Sequence, residues 1–375
     1  MKGPMYRRIE FAVCLLGCLW VGCLGGDAEP ANQQADLGGL VDGAVANAPG
    51  CMGLAIGVEH KAARAERFYG DTGNHGRPNA DTEFGIGSIT KTFTATLLAH
   101  EDQQGEIRLN EPLARYAPPG MQVPSFNGRP ILMLHLADHT SGLPRRIPNI
   151  GPPLMPETMW RFTSSYQLPY APGERYLYSN LGYGLLARAI VRHMRSTEDQ
   201  AYARIITTPL GMANTAIDLA PAQRARLAHG YLRNGSRATE TAPGFPALAG
   251  AGAVHSTLRD MMRYLDFELG KIRQPLASLL PAMHRPYHAA GPDNSVGLGW
   301  EMRDGPDGTK LIFKDGAVPG YAAFIAFTPS SQTGVVVLAN QTGCPVVRIG
   351  MQLVRGMNAP AAIAVDHLPG SDQEE

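Results

Sequence analysis

The chain has 375 residues, 44% hydrophobic, 18% charged and 7% aromatic, with 33 basic residues against 33 acidic ones. That composition excludes a disordered, collagenous or coiled-coil chain, and the length allows roughly two to three domain units that fold without metal or disulfide staples. Zero net charge without a long run of one sign excludes nucleic acid or an anionic membrane surface as the main partner.

Lys2, Arg7 and Arg8 precede an apolar run from Phe11 to Leu24, which Asp27 and Glu29 end. This predicts a leader over residues 1–26 and an exported protein, because the run is too short to cross a membrane and stay there. Leu15-Leu-Gly-Cys18 and Trp20-Val-Gly-Cys23 both resemble a bacterial lipoprotein cleavage box. Cys18 or Cys23 would then carry a lipid anchor, so the expected location is periplasmic or a membrane-anchored lipoprotein. Without residues 1–23 the balance is 30 basic against 32 acidic residues, a net −2 (three basic and one acidic removed). Cys51 and Cys344 remain; an exported chain allows them to pair, but spacing does not place them within bridging distance.

Residues 27–37 read as a polar linker. Met52–Val58 and Glu66–Tyr69 read as strands, and a helix is predicted from about Ser88 to Gln104. Residues 110–175 are rich in Pro and Gly, as in a loop-built wall. Helices follow at Asn180–Met194, Thr197–Thr208 and Leu258–Glu268. Gly297–Trp300, Leu311–Phe313, Ala322–Thr328 and Val335–Ala339 read as a β-meander, 347–357 as a closing helix, and Ser371–Glu375 as a frayed tail. Strands at both ends and helices between predict an α/β (α+β) fold: one antiparallel sheet built from both termini, flanking helices and a mostly helical insertion. The expected unit is one domain over 27–375, with a sheet lobe at about 50–90 and 290–358, a helical lobe at about 91–289, and a site in the cleft between them.

Three motifs carry chemistry. Ser88-Ile-Thr-Lys91 puts a hydroxyl and an amine on one helix face, where a desolvated Lys can act as base and the helix N-terminus favours an anion. Its plainer reading is a solvated pair on a surface helix. Tyr178-Ser-Asn180 stands where a loop meets a helix; a phenol beside ammonium groups is expected to have a lowered pKa, and an Asn can hold an amide. Its plainer reading is an N-cap Asn beside a core Tyr. Lys314-Asp-Gly316-Ala317 ends a strand with Lys and Gly on one face, leaving room for a ligand backbone and for the Ala317 N–H to meet an oxyanion. Its plainer reading is an exposed turn. Only six of the basic residues are Lys, and these motifs use two of them.

In the order Ser-x-x-Lys, Tyr-x-Asn, Lys-x-Gly, the motifs resemble those of the penicillin-recognising serine hydrolases. The Tyr-Ser-Asn form is similar to the branch of class C β-lactamases and low-molecular-weight D,D-peptidases. Gly105–Leu113, His135–Pro144, Pro209–Met212 and Gly297–Trp300 resemble that branch too, and Tyr116–Pro144 is especially similar to the AmpH-type D-alanyl-D-alanine carboxypeptidase/endopeptidases. The likeness runs from about Met52 to Val354. It implies that Ser88 attacks a carbonyl, Lys91 takes or shuttles its proton and Tyr178 handles protons to the leaving amine. It implies further that Asn180 holds the substrate amide, that Lys314 lowers the Tyr178 pKa and meets a carboxylate, and that the N–H groups of Ser88 and Ala317, beside Gly316, form an oxyanion hole. Arg348 stands where class C enzymes keep a carboxylate-facing Arg. No cofactor or metal is implied; the partners are peptidoglycan stem peptides or β-lactams.

Two residues depart from the pattern. Asp315 replaces the hydroxyl of a Lys-Thr-Gly motif, and an ionised Asp repels a carboxylate unless a cation neutralises it. Arg146 stands where class C enzymes often carry Gln, and such a cation would compensate for Asp315 or select an acidic stem peptide. His135-x-x-x-His139 has metal-ligand spacing but no third ligand, and it reads as structural. A D,D-peptidase is therefore expected. A class C-like β-lactamase, an esterase of the same fold and a non-catalytic β-lactam or peptidoglycan sensor are the alternatives.

Overall fold

A computed structural model describes residues 31–358 except 49, 75, 150, 152, 240–245 and 306–307. The predicted leader with Cys18 and Cys23, the first residues of the linker and the acidic tail lie outside the described residues.

The sheet is antiparallel and, among the described residues, eight-stranded. Its strands are β1 (Gly53–His60), β2 (Ala63–Gly70), β3 (His288–Ala289), β4 (Asn294–Val296), β5 (Glu301–Asp304), β6 (Lys310–Val318), β7 (Tyr321–Thr328) and β8 (Thr333–Ala339), in the order β2-β1-β8-β7-β6-β5-β4-β3. The strand pair nearest the N-terminus thus packs against the last strand, as the sequence predicts.

Both faces of the sheet are covered, which explains the unbroken apolar runs of β7 and β8. Phe324, Val335 and Val337 point to one face, under helices α1 (Ala31–Ala46) and α5 (Val346–Met357). Ala323, Ile325, Phe327, Val336 and Leu338 point to the other face and join the core of the helical lobe. That lobe contains helices α2 (Thr90–Gln104), α3 (Asn180–His193) and α4 (Leu258–Glu268).

The expected linker at 27–37 is corrected. From Ala31 the chain is already helical, because Leu37, Val41 and Ala44 form a stripe at helical spacing that packs on the sheet's outer face. Gly297–Trp300 is a turn rather than a strand: the Gly297 N–H bonds the Trp300 carbonyl at 2.8 Å, and Gly299 takes φ +79°. The helix read at Thr197–Thr208 is α-helical over Glu198–Tyr202 and then widens into a π-helical turn over Ala203–Thr207.

α2 runs through the middle of the lobe and is buried on nearly every side. Its threonines are satisfied internally. Thr92 Oγ1 donates to the Ile89 carbonyl at 2.8 Å, and Thr94 Oγ1 donates to the Gly250 carbonyl at 2.7 Å. Cys51 and Cys344 are bonded, with Cα atoms 5.2 Å apart. The bridge ties the entry to β1 to the segment before α5 across 293 residues.

Candidate active site

The short strand Glu83–Gly85 pairs with His255–Thr257 and delivers the chain into a 3₁₀ turn, Gly87–Ile89, at the head of α2. Ser88 is in that turn, and Lys91 is in the first turn of α2. Two glycines allow β6 to approach. A Cβ on Gly87, which takes φ +51°, would lie 2.5 Å from the Ala317 nitrogen, and one on Gly316 would lie 2.8 Å from the Ser88 nitrogen. The Ser88 turn and the strand are in backbone contact because neither has a side chain there. β5 pairs with β6 only as far as Phe313, so the strand edge beyond it is open for a ligand while β7 covers the other edge to Val318.

Lys91 is fully buried. Its Nζ is 2.9 Å from Ser88 Oγ, 2.8 Å from Asn180 Oδ1 and 2.6 Å from the Ala251 carbonyl oxygen. Burial drives its pKa well below the ordinary lysine value, and repulsion from Lys314 and Arg145 adds to this. The Tyr178 hydroxyl donates to Ser88 Oγ at 2.7 Å. Ser88 Oγ thus has an amine on one side and a phenol on the other. Ser179, not Asn180, is the N-cap of α3; its Oγ accepts the Gly182 N–H at 2.8 Å. Asn180 is thereby released to face Lys91.

The expected lowering of the Tyr178 pKa is corrected. Burial raises it above the ordinary phenol value, and neither the Lys314 charge nor the Ser88 hydrogen bond outweighs that. Lys314 is buried and its Nζ donates to Glu301 Oε1 at 2.5 Å. Burial alone would lower the Lys314 pKa, but Glu301 above all, then Tyr178 and Asp315, hold it well above the ordinary value. Burial raises Glu301 in turn, against the pull of Lys314. With the two groups in hydrogen-bond contact we treat them as an ion pair.

Three basic side chains surround the Tyr178 ring: Lys314 Nζ at 4.8 Å, Lys91 Nζ at 4.9 Å and Arg145 Cζ at 5.0 Å from its centre. His139 stacks beneath it at 4.3 Å between ring centres. His139 Nδ1 accepts the Ser179 N–H at 3.1 Å, and its carbonyl accepts the Leu177 N–H, so the motif loop is fastened on both sides of Tyr178. Burial first, then these three side chains, lowers the His139 pKa well below the ordinary value; the ring is neutral. His135 instead accepts the Leu132 N–H at 3.2 Å, so the two histidines serve different partners.

Ser88, Lys91, Tyr178, Asn180, Lys314, Gly316 and Ala317 are therefore brought together. Arg348 is exposed in the first turn of α5 and forms no hydrogen bond or ion pair with these residues. Arg146 is exposed as well, and it is Arg145 that reaches Tyr178. Asp315, partly exposed between Lys314 and Gly316, forms no side-chain hydrogen bond with any described residue, yet its charge raises Lys91, Lys314 and Tyr178. Glu301, Arg145 and His139 were not assigned to the site from sequence. Glu301 directly follows Gly297–Trp300, and its one available signal was that adjacency.

A family model described as Beta-lactamase matches residues 41–351. The D-alanyl-D-alanine-carboxypeptidase/endopeptidase AmpH of Escherichia coli K12 is 33% identical over 315 residues, 78% of this chain and 80% of that protein. A beta-lactamase of the same organism is 30% identical over 325 residues, 77% and 84% of the two chains. A crystal structure of a beta-lactamase/D-alanine carboxypeptidase from Yersinia pestis, complexed with citrate, superposes with a TM-score of 0.72 at 29% identity, covering 85% of this chain and 99% of that one. A class C beta-lactamase mutant shares the fold at a TM-score of 0.75 and 22% identity, covering 87% and 99%.

Proposed function

Since the chain belongs to the β-lactamase family of serine hydrolases, we propose that it is an exported D-alanyl-D-alanine carboxypeptidase/endopeptidase that cleaves peptidoglycan stem peptides through an acyl-enzyme on Ser88. The observation that carries this reading is Ser88 Oγ held between a buried Lys91 amine and the Tyr178 phenol. The Asn180 and Ala251 oxygens can only accept, so they take the two N–H bonds of a neutral Lys91. Its lone pair is then left for the Ser88 proton. Lys91 accepts that proton as Oγ attacks the peptide carbonyl. The N–H groups of Ser88 and Ala317 stabilise the oxyanion, each contributing about 3–4 kcal/mol. As the intermediate collapses, the neutral Tyr178 gives its proton to the departing amine. Lys91 then passes the serine proton to the Tyr178 phenolate, which restores both groups. Asn180 Nδ2, which has no partner among the described residues, is free to bind the substrate carbonyl.

Export is supported by the Cys51–Cys344 disulfide, a bond that persists in oxidising compartments. The predicted leader supports a location in the periplasm, or on a membrane through Cys18 or Cys23. Asp315 favours a second reading: with a carboxylate where a hydroxyl would bind the substrate carboxylate, the site would suit neutral esters.

Intact mass of the mature protein after a pulse of benzylpenicillin tests these readings, with Ser88→Ala as control. An adduct that persists for minutes supports the peptidase. An adduct that decays while hydrolysed drug accumulates supports a class C-like β-lactamase. Neither adduct nor turnover supports the esterase, and a Ser88→Ala chain with full biological effect would support a non-catalytic sensor.

A further inference from the structure

Arg145 is an unsatisfied cation in a site that already holds the charged Lys314. Its guanidinium lies against the Tyr178 ring, forms no hydrogen bond or ion pair with any described residue, and has a buried Nε with no acceptor. Guanidinium offers five donors and keeps its charge at any working pH, so it needs an anion that the resting site does not supply. The residue is not loosely placed. Its carbonyl accepts the N–H groups of Asn180 at 3.1 Å and Leu181 at 3.4 Å, which pins it to the first turn of α3. It thus stands on the helical wall of the cleft, beside Asn180 and across from the open edge of β6. On that edge, Asp315 replaces the hydroxyl that would have received a carboxylate. Lys314 is also committed, because Glu301 neutralises it.

We propose that Arg145 is the carboxylate-recognising residue of this site: its planar fork takes a substrate carboxylate as a bidentate pair while the Tyr178 ring supports its face. Carboxylate recognition has then moved from the third motif to the loop before α3. The choice of a peptide as substrate rests on the proposed function above; the preference for an anion does not. In a stem peptide the carboxylate belongs either to the leaving residue or to the acyl side.

The test uses the mature chain and its Arg145→Gln and Arg145→Lys variants. Hydrolysis of a neutral ester, nitrophenyl acetate, is inhibited with two probes that bond to the serine: phenylboronic acid and its meta-carboxy derivative. In the wild type the carboxylated probe should bind tighter by about tenfold or more. That ratio should fall to near unity in Arg145→Gln and lie between in Arg145→Lys, which keeps the charge without the fork. The plain boronic acid checks that each variant retains a folded site. An unchanged ratio in Arg145→Gln, or no preference in the wild type, would overturn the proposal and leave Arg145 as a support for the Tyr178 ring. Two peptide pairs then locate the carboxylate: D-alanyl-D-alanine peptides with the C-terminus free or amidated, and with the acyl-side carboxylate free or amidated. The pair in which Arg145→Gln raises KM for the free acid alone identifies it. If no peptide is cleaved, the peptidase reading fails, while the boronic acid ratio still judges Arg145.

Discussion

The helical wall and the sheet wall of the cleft each present a buried lysine to the same tyrosine ring, at nearly the same distance. Their pKa values are shifted in opposite directions. On the helical wall Lys91 meets a hydroxyl, an amide oxygen and a carbonyl, none of which carries charge, and burial lowers its pKa. On the sheet wall Lys314 meets the Glu301 carboxylate and keeps its proton. Burial alone therefore does not set the charge; the partner across the contact does. The lowered lysine suits the proposed base, and the raised one a fixed charge.

The largest effect is expected from breaking the helical side. Lys91→Met should slow acylation by about 10²–10⁴-fold. Lys91→Arg should lose as much, because guanidinium stays charged and cannot take the serine proton. Acylation rates by mass spectrometry measure both, and an active Lys91→Arg would refute the base assignment. In the wild type the acid limb of kcat/KM should lie well below the ordinary lysine range, since activity needs Lys91 unprotonated.

Breaking the sheet side comes next. Glu301→Gln leaves Lys314 buried and charged without a counter-ion, so stability should fall by about 3–5 kcal/mol. The alkaline limb of kcat/KM should also move to lower pH as Lys314 gives up its proton more easily. Denaturant unfolding and a pH–rate profile read the two effects separately.

Glu83 sharpens the comparison as a buried group with a poor partner. Arg226 is 3.5 Å away and partly exposed, and burial raises the Glu83 pKa to about 8 despite it. The folded chain then holds a proton that the unfolded chain releases from the ordinary value of 4.5 upward. Its stabilising contribution is complete below 4.5 and is lost as pH rises through about 8. Glu83→Gln should flatten that slope, so melting curves of variant and wild type should diverge, in the variant's favour, toward alkaline pH. A constant difference across that range would refute it. The smallest effect is expected at Asp315. Asp315→Thr should speed benzylpenicillin acylation by about tenfold, one removed repulsion at the cleft edge. An unchanged rate would mean Asp315 does not face the drug's carboxylate.

Much of this site was legible because its parts are local. Ser88 and Lys91 share one face, Tyr178 and Asn180 bracket one helix start, and Lys314 and Gly316 share one strand face. Each relation is a property of one element's period. What escaped the reading depends on contacts between elements. Glu301 reaches Lys314 from a neighbouring strand, and His139 packs on the Tyr178 ring and accepts the Ser179 N–H in a hydrogen bond spanning 40 residues. Arg146 and Arg145 are adjacent in sequence, and only the path of the loop directs the second one inward.

The amino-acid order sufficed for the fold class and for the pairing of Ser88 with Lys91 and of Tyr178 with Asn180, since hydrophobic periodicity and short spacings act within a few residues. The Cys51–Cys344 bond, the helix that begins at Ala31, the lowered pKa of Lys91 beside the raised one of Lys314, and the exposed Arg348 were settled by packing. Burial and counter-ions set charge, and both come from residues far away in the chain.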